Sequence, residues 1–103
     1  MKFENVTIEK EANILFEGNI TSRSILFEDG SRKTLGIMLP GEYELNSIHE
    51  EIMEIKRGEL EVMLPAQEWK KVVGPSTFNV PANSKFKLRV HSLIDYCASF
   101  IKY

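Results

Sequence analysis

The chain has 103 residues, 27% of them charged and 43% apolar, with a formal net charge of −2. That length suits one domain with a modest core and is too short for two. The charge balance excludes an overall basic field for holding nucleic acid. No apolar run approaches the roughly 18 residues a membrane helix needs, so no membrane partner is expected.

In chain order, residues 1–15 read as an N-terminal strand or arm with Glu4, Glu9, Lys10 and Glu11 in solvent. The start, Met1-Lys2-Phe3-Glu4-Asn5, is too polar for a signal peptide, and a cytoplasmic location is expected. Turn signals follow at Glu17-Gly18-Asn19, Asp29-Gly30-Ser31, Pro40-Gly41, Arg57-Gly58, Pro65-Ala66, Gly74-Pro75 and Pro81-Ala82-Asn83-Ser84. Their spacing, mostly about ten residues, is that of short strands in a sandwich or barrel. No window keeps a helical stripe. Residues 48–55 offer a helical turn or two at most, and Gly58 and the β-like residues after it oppose even that.

Leu60, Val62 and Leu64 share one face of a strand by period-two alternation. Phe86, Leu88 and Val90 share another, with Lys87, Arg89 and His91 on the opposite side. Residues 96–101 are nearly all apolar or small. They predict a strand covered on both faces, with a second subunit as one source of cover and Cys97 as a half-buried small hydrophobe. As the single cysteine, Cys97 can make neither an internal disulfide nor a zinc site. That apolar stretch, with Trp69 in so short a chain, predicts a homodimer. The whole chain, 1–103, is expected to be one all-β domain, a closed or nearly closed antiparallel barrel of eight or more short strands.

Between Gly41 and Gly58 lies an acidic stretch with His49, Glu50, Glu51 and Glu54, and Gly74, Pro81 and Asn83 mark a second half. The layout resembles the two half-motifs of cupin (jelly-roll, double-stranded β-helix) barrels without their metal ligands. The late histidine's position falls near Phe86, and His49 and His91 are the only histidines. A transition-metal site needs three or four ligands, so no metal is expected. No nucleophile elbow and no Gly-rich phosphate loop is present. Glu51 stands seven residues before Gly58, where a cupin places its inward carboxylate.

Several strings together carry a closer likeness. They are residues 36–43 (GIMLPGEY), residues 53–64 followed by Pro65, Trp69, residues 78–81 (FNVP) with Ser84 and Phe86, and Tyr96-Cys97. In order and spacing they resemble the pyrimidine/purine nucleoside phosphorylases, small proteins of the cupin superfamily, over about residues 16–103. The resemblance implies phosphate-dependent cleavage of purine and pyrimidine nucleosides to free base and pentose 1-phosphate, a glycosyl transfer with inorganic phosphate as co-substrate. It implies broad specificity, no metal or organic cofactor, and a cytosolic homodimer. A non-catalytic cupin module binding a small sugar or nucleotide ligand is the alternative.

Such chemistry sets three tasks. Phosphate needs cationic donors, for which Arg23, Lys33, Lys71, Lys85 and Arg89 are candidates. The sugar, cationic in the transition state, calls for a carboxylate, and Glu51 is expected to be catalytic, with a donor such as Lys85 or Lys71 keeping it ionised. The base needs stacking surfaces, supplied by Tyr43, Phe78 and Phe86, and a proton or hydrogen bond from Asn79 or a water. Tyr43, Phe78, Asn79, Lys85 and Phe86 are the expected substrate-binding residues, with Glu51 and Phe86 facing one interior cavity.

Overall fold

A computed structural model describes residues 2–101; Met1, Lys102 and Tyr103, the ends of the expected domain, lie outside the described residues. Eleven strands run in order: β1 (Thr7–Ile8), β2 (Asn13–Leu15), β3 (Ile20–Leu26), β4 (Arg32–Met38), β5 (Gly41–Asn46), β6 (Glu50–Arg57), β7 (Glu59–Met63), β8 (Lys70–Val73), β9 (Ser76–Val80), β10 (Lys85–Val90) and β11 (Ile94–Ile101). One 3-10 turn, Phe16–Gly18, stands between β2 and β3, and the described residues contain no α-helix. The N-terminal arm is thus two short strands, both paired to β3. Of the ambiguous segment 48–55, Ile48 and His49 form a bend and the rest belongs to the strand β6, with no helical turn.

The strands form two antiparallel sheets rather than one closed barrel. The larger has the order β1-β3-β4-β11-β6-β9 with β2 also on β3, and the smaller has the order β5-β10-β7-β8. The expected closure fails at the corners where the chain changes sheet. Leu39-Pro40 carries it from β4 to β5, and Gly74-Pro75 from β8 to β9. Proline has no N–H to donate, so the ladder cannot run through either corner. Gly58 makes the β6-to-β7 crossing. Its φ is +107°, and an added Cβ would lie 2.4 Å from the Leu93 carbonyl oxygen, so only glycine fits.

The sheets are joined by side chains. Ile55 and Ile94 of the large sheet and Leu60 and Val62 of the small one are at most 1% exposed and belong to one core cluster. Each such side chain stabilises the fold by about 1.5–3 kcal/mol. Alternation accounts for the faces: Leu60 and Val62 point in, and so do Phe86, Leu88 and Val90. β11 sits centrally between β4 and β6, which explains its apolar run. Tyr96, Cys97 and Ala98 are all buried within this chain alone, Cys97 more deeply than half.

Candidate functional site

At one end of the space between the sheets the packing opens into a cavity of about 210 Å³. Its floor is the inner face of the large sheet, and strand register arranges that floor in rows. Arg32, Phe100 and Glu51 form one row across β4, β11 and β6. Thr34, Ala98 and Met53 form the next, with Ser24 beside Thr34. Gly36 and Tyr96 follow, with Ser22 beside Gly36. The roof comes from the small sheet through Leu45, Phe86 and Leu88, and the exposed Asn13, Leu15 and Asn46 form the rim. The cavity is small for a ligand pocket, for which about 300–1,000 Å³ is usual, so a ligand there would extend through the rim.

The lining is divided. Asn13, Ser22, Arg32 and Thr34 set polar groups among the apolar Leu15, Ile20 and Met38 on the β2–β4 side, whereas Met53, Phe86 and Leu88 on the opposite side are apolar beside Glu51. Asn13 Nδ2 donates to Ser22 Oγ (3.2 Å) and Ser24 Oγ (3.1 Å). Arg32 lays its guanidinium over the Phe100 ring, 4.2 Å from the centroid, with Nη1 3.5 Å from Ser24 Oγ. Tyr96 projects over Gly36, where an added Cβ would meet its hydroxyl at 2.8 Å and the Thr21 carbonyl oxygen at 2.1 Å. Glycine at 36 therefore opens the space that Tyr96 occupies.

Glu51 is the only carboxylate in the lining among the described residues. Burial pushes its carboxyl above the ordinary value, and the Arg32 charge pulls the other way. The two side chains make no direct ion pair. Their backbones stand two strand spacings apart, about 10 Å, with Phe100 between. Burial also raises the Tyr96 hydroxyl; a hydrogen bond with Ser22 opposes that and the nearby Glu51 charge adds to it.

Of the residues expected to bind or react, the structure brings Glu51 and Phe86 to the same cavity and places four elsewhere. Tyr43 is a core residue that donates its hydroxyl to the Leu39 carbonyl (2.6 Å) and packs on Phe16. Phe78 is buried opposite Met53 on β9, away from the cavity lining. Asn79 alternates with Phe78 and Val80 and so points outward. Lys85 precedes Phe86 by one residue, which puts it on the outer face with Glu44, 3.6 Å away. Lys71, the other donor expected for Glu51, pairs with Glu59 at 3.7 Å. Arg32, Ser22 and Asn13 were not among the sequence candidates. In β4 the apolar alternation runs through Leu35 and Ile37, which marks Arg32, Thr34 and Gly36 as the solvent side, and the fold inverts that assignment.

Among the described residues no three His, Cys, Asp or Glu side chains cluster so as to hold a metal ion. His49 is exposed on the bend before β6, and His91 faces outward with Nε2 2.8 Å from Glu61 Oε1. No helix among the described residues is long and apolar enough to cross a membrane.

Comparison with known proteins places this architecture. An RmlC-like cupin from Shewanella frigidimarina superposes with a TM-score of 0.70 at 16% identity, covering 87% of this chain and 81% of that one, which shows a cupin-like fold. A protein of unknown function from Acinetobacter sp. ADP1 superposes with a TM-score of 0.91 at 34% identity over 97% of this chain and 98% of its own. A pyrimidine/purine nucleoside phosphorylase of Chlorobium chlorochromatii is 56% identical over 100 residues, 97% of each chain. The family model described as pyrimidine/purine nucleoside phosphorylase matches residues 10–100, and the chain belongs to that family.

Proposed function

We propose that this chain, working as one domain, is a broad-specificity nucleoside phosphorylase that cleaves purine and pyrimidine nucleosides with inorganic phosphate. The observation that carries the chemistry is the single carboxylate, Glu51, in a half-apolar cavity beside an aromatic roof at Phe86. Family membership supplies the reaction class.

A phosphate oxygen attacks the anomeric carbon of the nucleoside. The new C–O bond forms as the C–N bond to the base breaks, the bonding electron pair leaves on the base nitrogen, and the proton that the attacking phosphate gives up reaches that nitrogen through water at the rim. Positive charge develops on the sugar in between. Glu51, ionised, stabilises that charge, and it acts strongly because the surrounding apolar lining screens little. The base lies against Phe86, Met53 and Leu88. Contacts to a ring face do not depend on which base is present, which accords with broad specificity. No cofactor takes part in this scheme, and phosphate is the co-substrate.

Release of uracil from uridine and of hypoxanthine from inosine, with and without phosphate, tests the reading. Release that requires phosphate is expected. Nucleoside binding with no turnover would instead make the chain a non-catalytic binding module.

The same reading includes a cytoplasmic homodimer. Tyr96 and Ala98 are covered within the chain, and Trp69 is half-buried under the Arg89 guanidinium at 3.8 Å, so neither supports a partner. The support comes from the outer face of β2 and β4. There Ile14, Leu35 and Ile37 are 65%, 41% and 36% exposed around one shallow hollow. A dimer mass by light scattering is the expected result, and a monomer at micromolar concentration would remove it.

A further inference from the structure

We infer that Arg32 is the residue that holds the attacking phosphate, with Phe100 as the platform that aims its guanidinium. This rests on the phosphorylase reading and adds to it the identity of the anion site.

Lys71, Lys85 and Arg89 lie on the outer face of the small sheet, each beside a carboxylate at 3.6–3.7 Å. Arg23 is exposed, and by strand alternation with Ser22 and Ser24 it points away from the cavity. Lys33 alternates with Arg32 and sits 5.4 Å and 5.7 Å from the ring centroids of Phe3 and Phe27. Among the described residues Arg32 is the one cation that lines the cavity.

Its chemistry suits the task. A guanidinium carries five N–H donors in a planar fork that matches two oxygens of a phosphate. Among the described residues one hydrogen bond, the 3.5 Å approach of Nη1 to Ser24 Oγ, engages that fork, and it lies at the outer limit of such a bond. The Phe100 ring, its centroid 4.2 Å from the guanidinium carbon, holds the group over the cavity floor and engages none of its N–H donors in a hydrogen bond. Ser22 and Thr34 add hydroxyl donors on the same side.

The row geometry then orders the reactants. Phosphate on Arg32 and the carboxylate of Glu51 flank Phe100 on opposite sides. The anomeric carbon belongs above Phe100, between nucleophile and stabilising charge. Phosphate thus approaches from the side of Arg32, Ser22 and Thr34, and the base departs on the side of Met53, Phe86 and Leu88. The absence of a direct Arg32–Glu51 ion pair is what leaves this gap open.

Initial rates of uracil release from uridine at varied phosphate test the assignment. Arg32→Gln is expected to raise the KM for phosphate about tenfold or more, the loss of a charge-assisted pair of hydrogen bonds. Its KM for uridine at saturating phosphate should change by less than about threefold, because uniform binding of the nucleoside is left in place. Arg32→Lys should fall between, keeping the charge and losing the fork. Apart from turnover, inorganic phosphate should raise the melting temperature of the wild type and not that of Arg32→Gln.

A wild type with no phosphate-dependent release overturns the phosphorylase reading itself. A wild type with that release, beside an Arg32→Gln protein with the wild-type phosphate KM, overturns the Arg32 assignment alone. Should Arg32→Gln lose its β-sheet circular dichroism, Arg32→Lys decides by the same criterion. Lys70→Gln, exposed on β8, is the control: an equal rise in its phosphate KM would make the effect one of general charge and overturn the assignment.

Discussion

Charged residues occupy two surfaces of this molecule under opposite conditions. On the outer face of the small sheet, β5, β10, β7 and β8 carry charges that alternate by strand. Glu42 and Glu44 face Arg89 and Lys85, Glu61 meets His91, and Glu59 meets Lys71. Inside, Arg32 and Glu51 sit on one row with an aromatic ring between them and no direct pairing. The outer Lys and Arg pairs with Glu are solvated and neutralise one another, so each adds little. Burial of Glu51 works against its ionised form, and the Arg32 charge offsets that only in part. Residues that lower stability in a cavity and stay charged are the ones to read as machinery.

That comparison can be broken at four points, in decreasing order of effect. The largest is Gly36→Ala. The new methyl would meet a backbone oxygen at 2.1 Å and the Tyr96 hydroxyl at 2.8 Å, so β3 and β4 must part or Tyr96 must swing into the cavity. Overpacking of this kind costs about 3 kcal/mol, a fall in melting temperature of more than about 10 °C for a chain of this size. Thermal melts with and without phosphate give the result directly. An unchanged melting temperature would mean that the strands yield at no cost.

Next is Glu51→Gln. Turnover of uridine should fall about 100-fold while nucleoside binding changes little, because the carboxylate matters most once the sugar is cationic. Full activity would remove Glu51 from the mechanism and leave the family assignment standing.

The pH dependence sharpens the same point, since stability and activity should move in opposite directions. The folded state raises the Glu51 carboxyl above its ordinary 4.5, so it binds a proton more tightly than the unfolded chain does. Its stabilising contribution is complete below the unfolded value and is lost as pH rises through the raised folded value. Over that window Glu51→Gln should gain stability relative to the wild type. Turnover of the wild type should rise across the same window as the carboxylate forms. Parallel melts and rate profiles between pH 4 and 8 check both signs.

The smallest effect belongs to the outer ladder. Glu44→Gln removes one exposed pair and should shift stability by less than about 0.5 kcal/mol, with turnover unchanged. A loss comparable to Glu51→Gln would mean that the outer face takes part in the reaction.

How much of this was legible in the chain follows from local physics. Turn residues at regular spacing and period-two alternation are properties of neighbours in sequence, and they sufficed for an all-β chain of short strands. They also sufficed to set the inward face of β7 and β10, and the offset from Gly58 pointed to Glu51. The string around Phe86 led to the family and to the cavity roof. Full closure is not legible in the same way, because whether two edges meet depends on corners at Pro40 and Pro75 and not on the strands themselves. Tyr43 and Phe78 read as stacking surfaces because an aromatic in a strand carries no mark of whether it faces a core or a cavity.

Arg32 shows the limit most clearly. Arg32, Thr34 and Gly36 alternate with Lys33, Leu35 and Ile37, and hydrophobicity alone assigns the second set to the interior. β4 instead turns Arg32, Thr34 and Gly36 to the cavity along with the buried Met38, leaving Leu35 and Ile37 on the outside. Composition, turns and alternation therefore determined that this chain is a small β protein, and the cupin resemblance added the inward carboxylate at Glu51. Only the pairing of β4 with β11, and of β11 with β6, put Arg32 and Glu51 on either side of Phe100. Those partners lie tens of residues apart, and register between distant strands is set by how whole faces pack, which no local window of sequence contains.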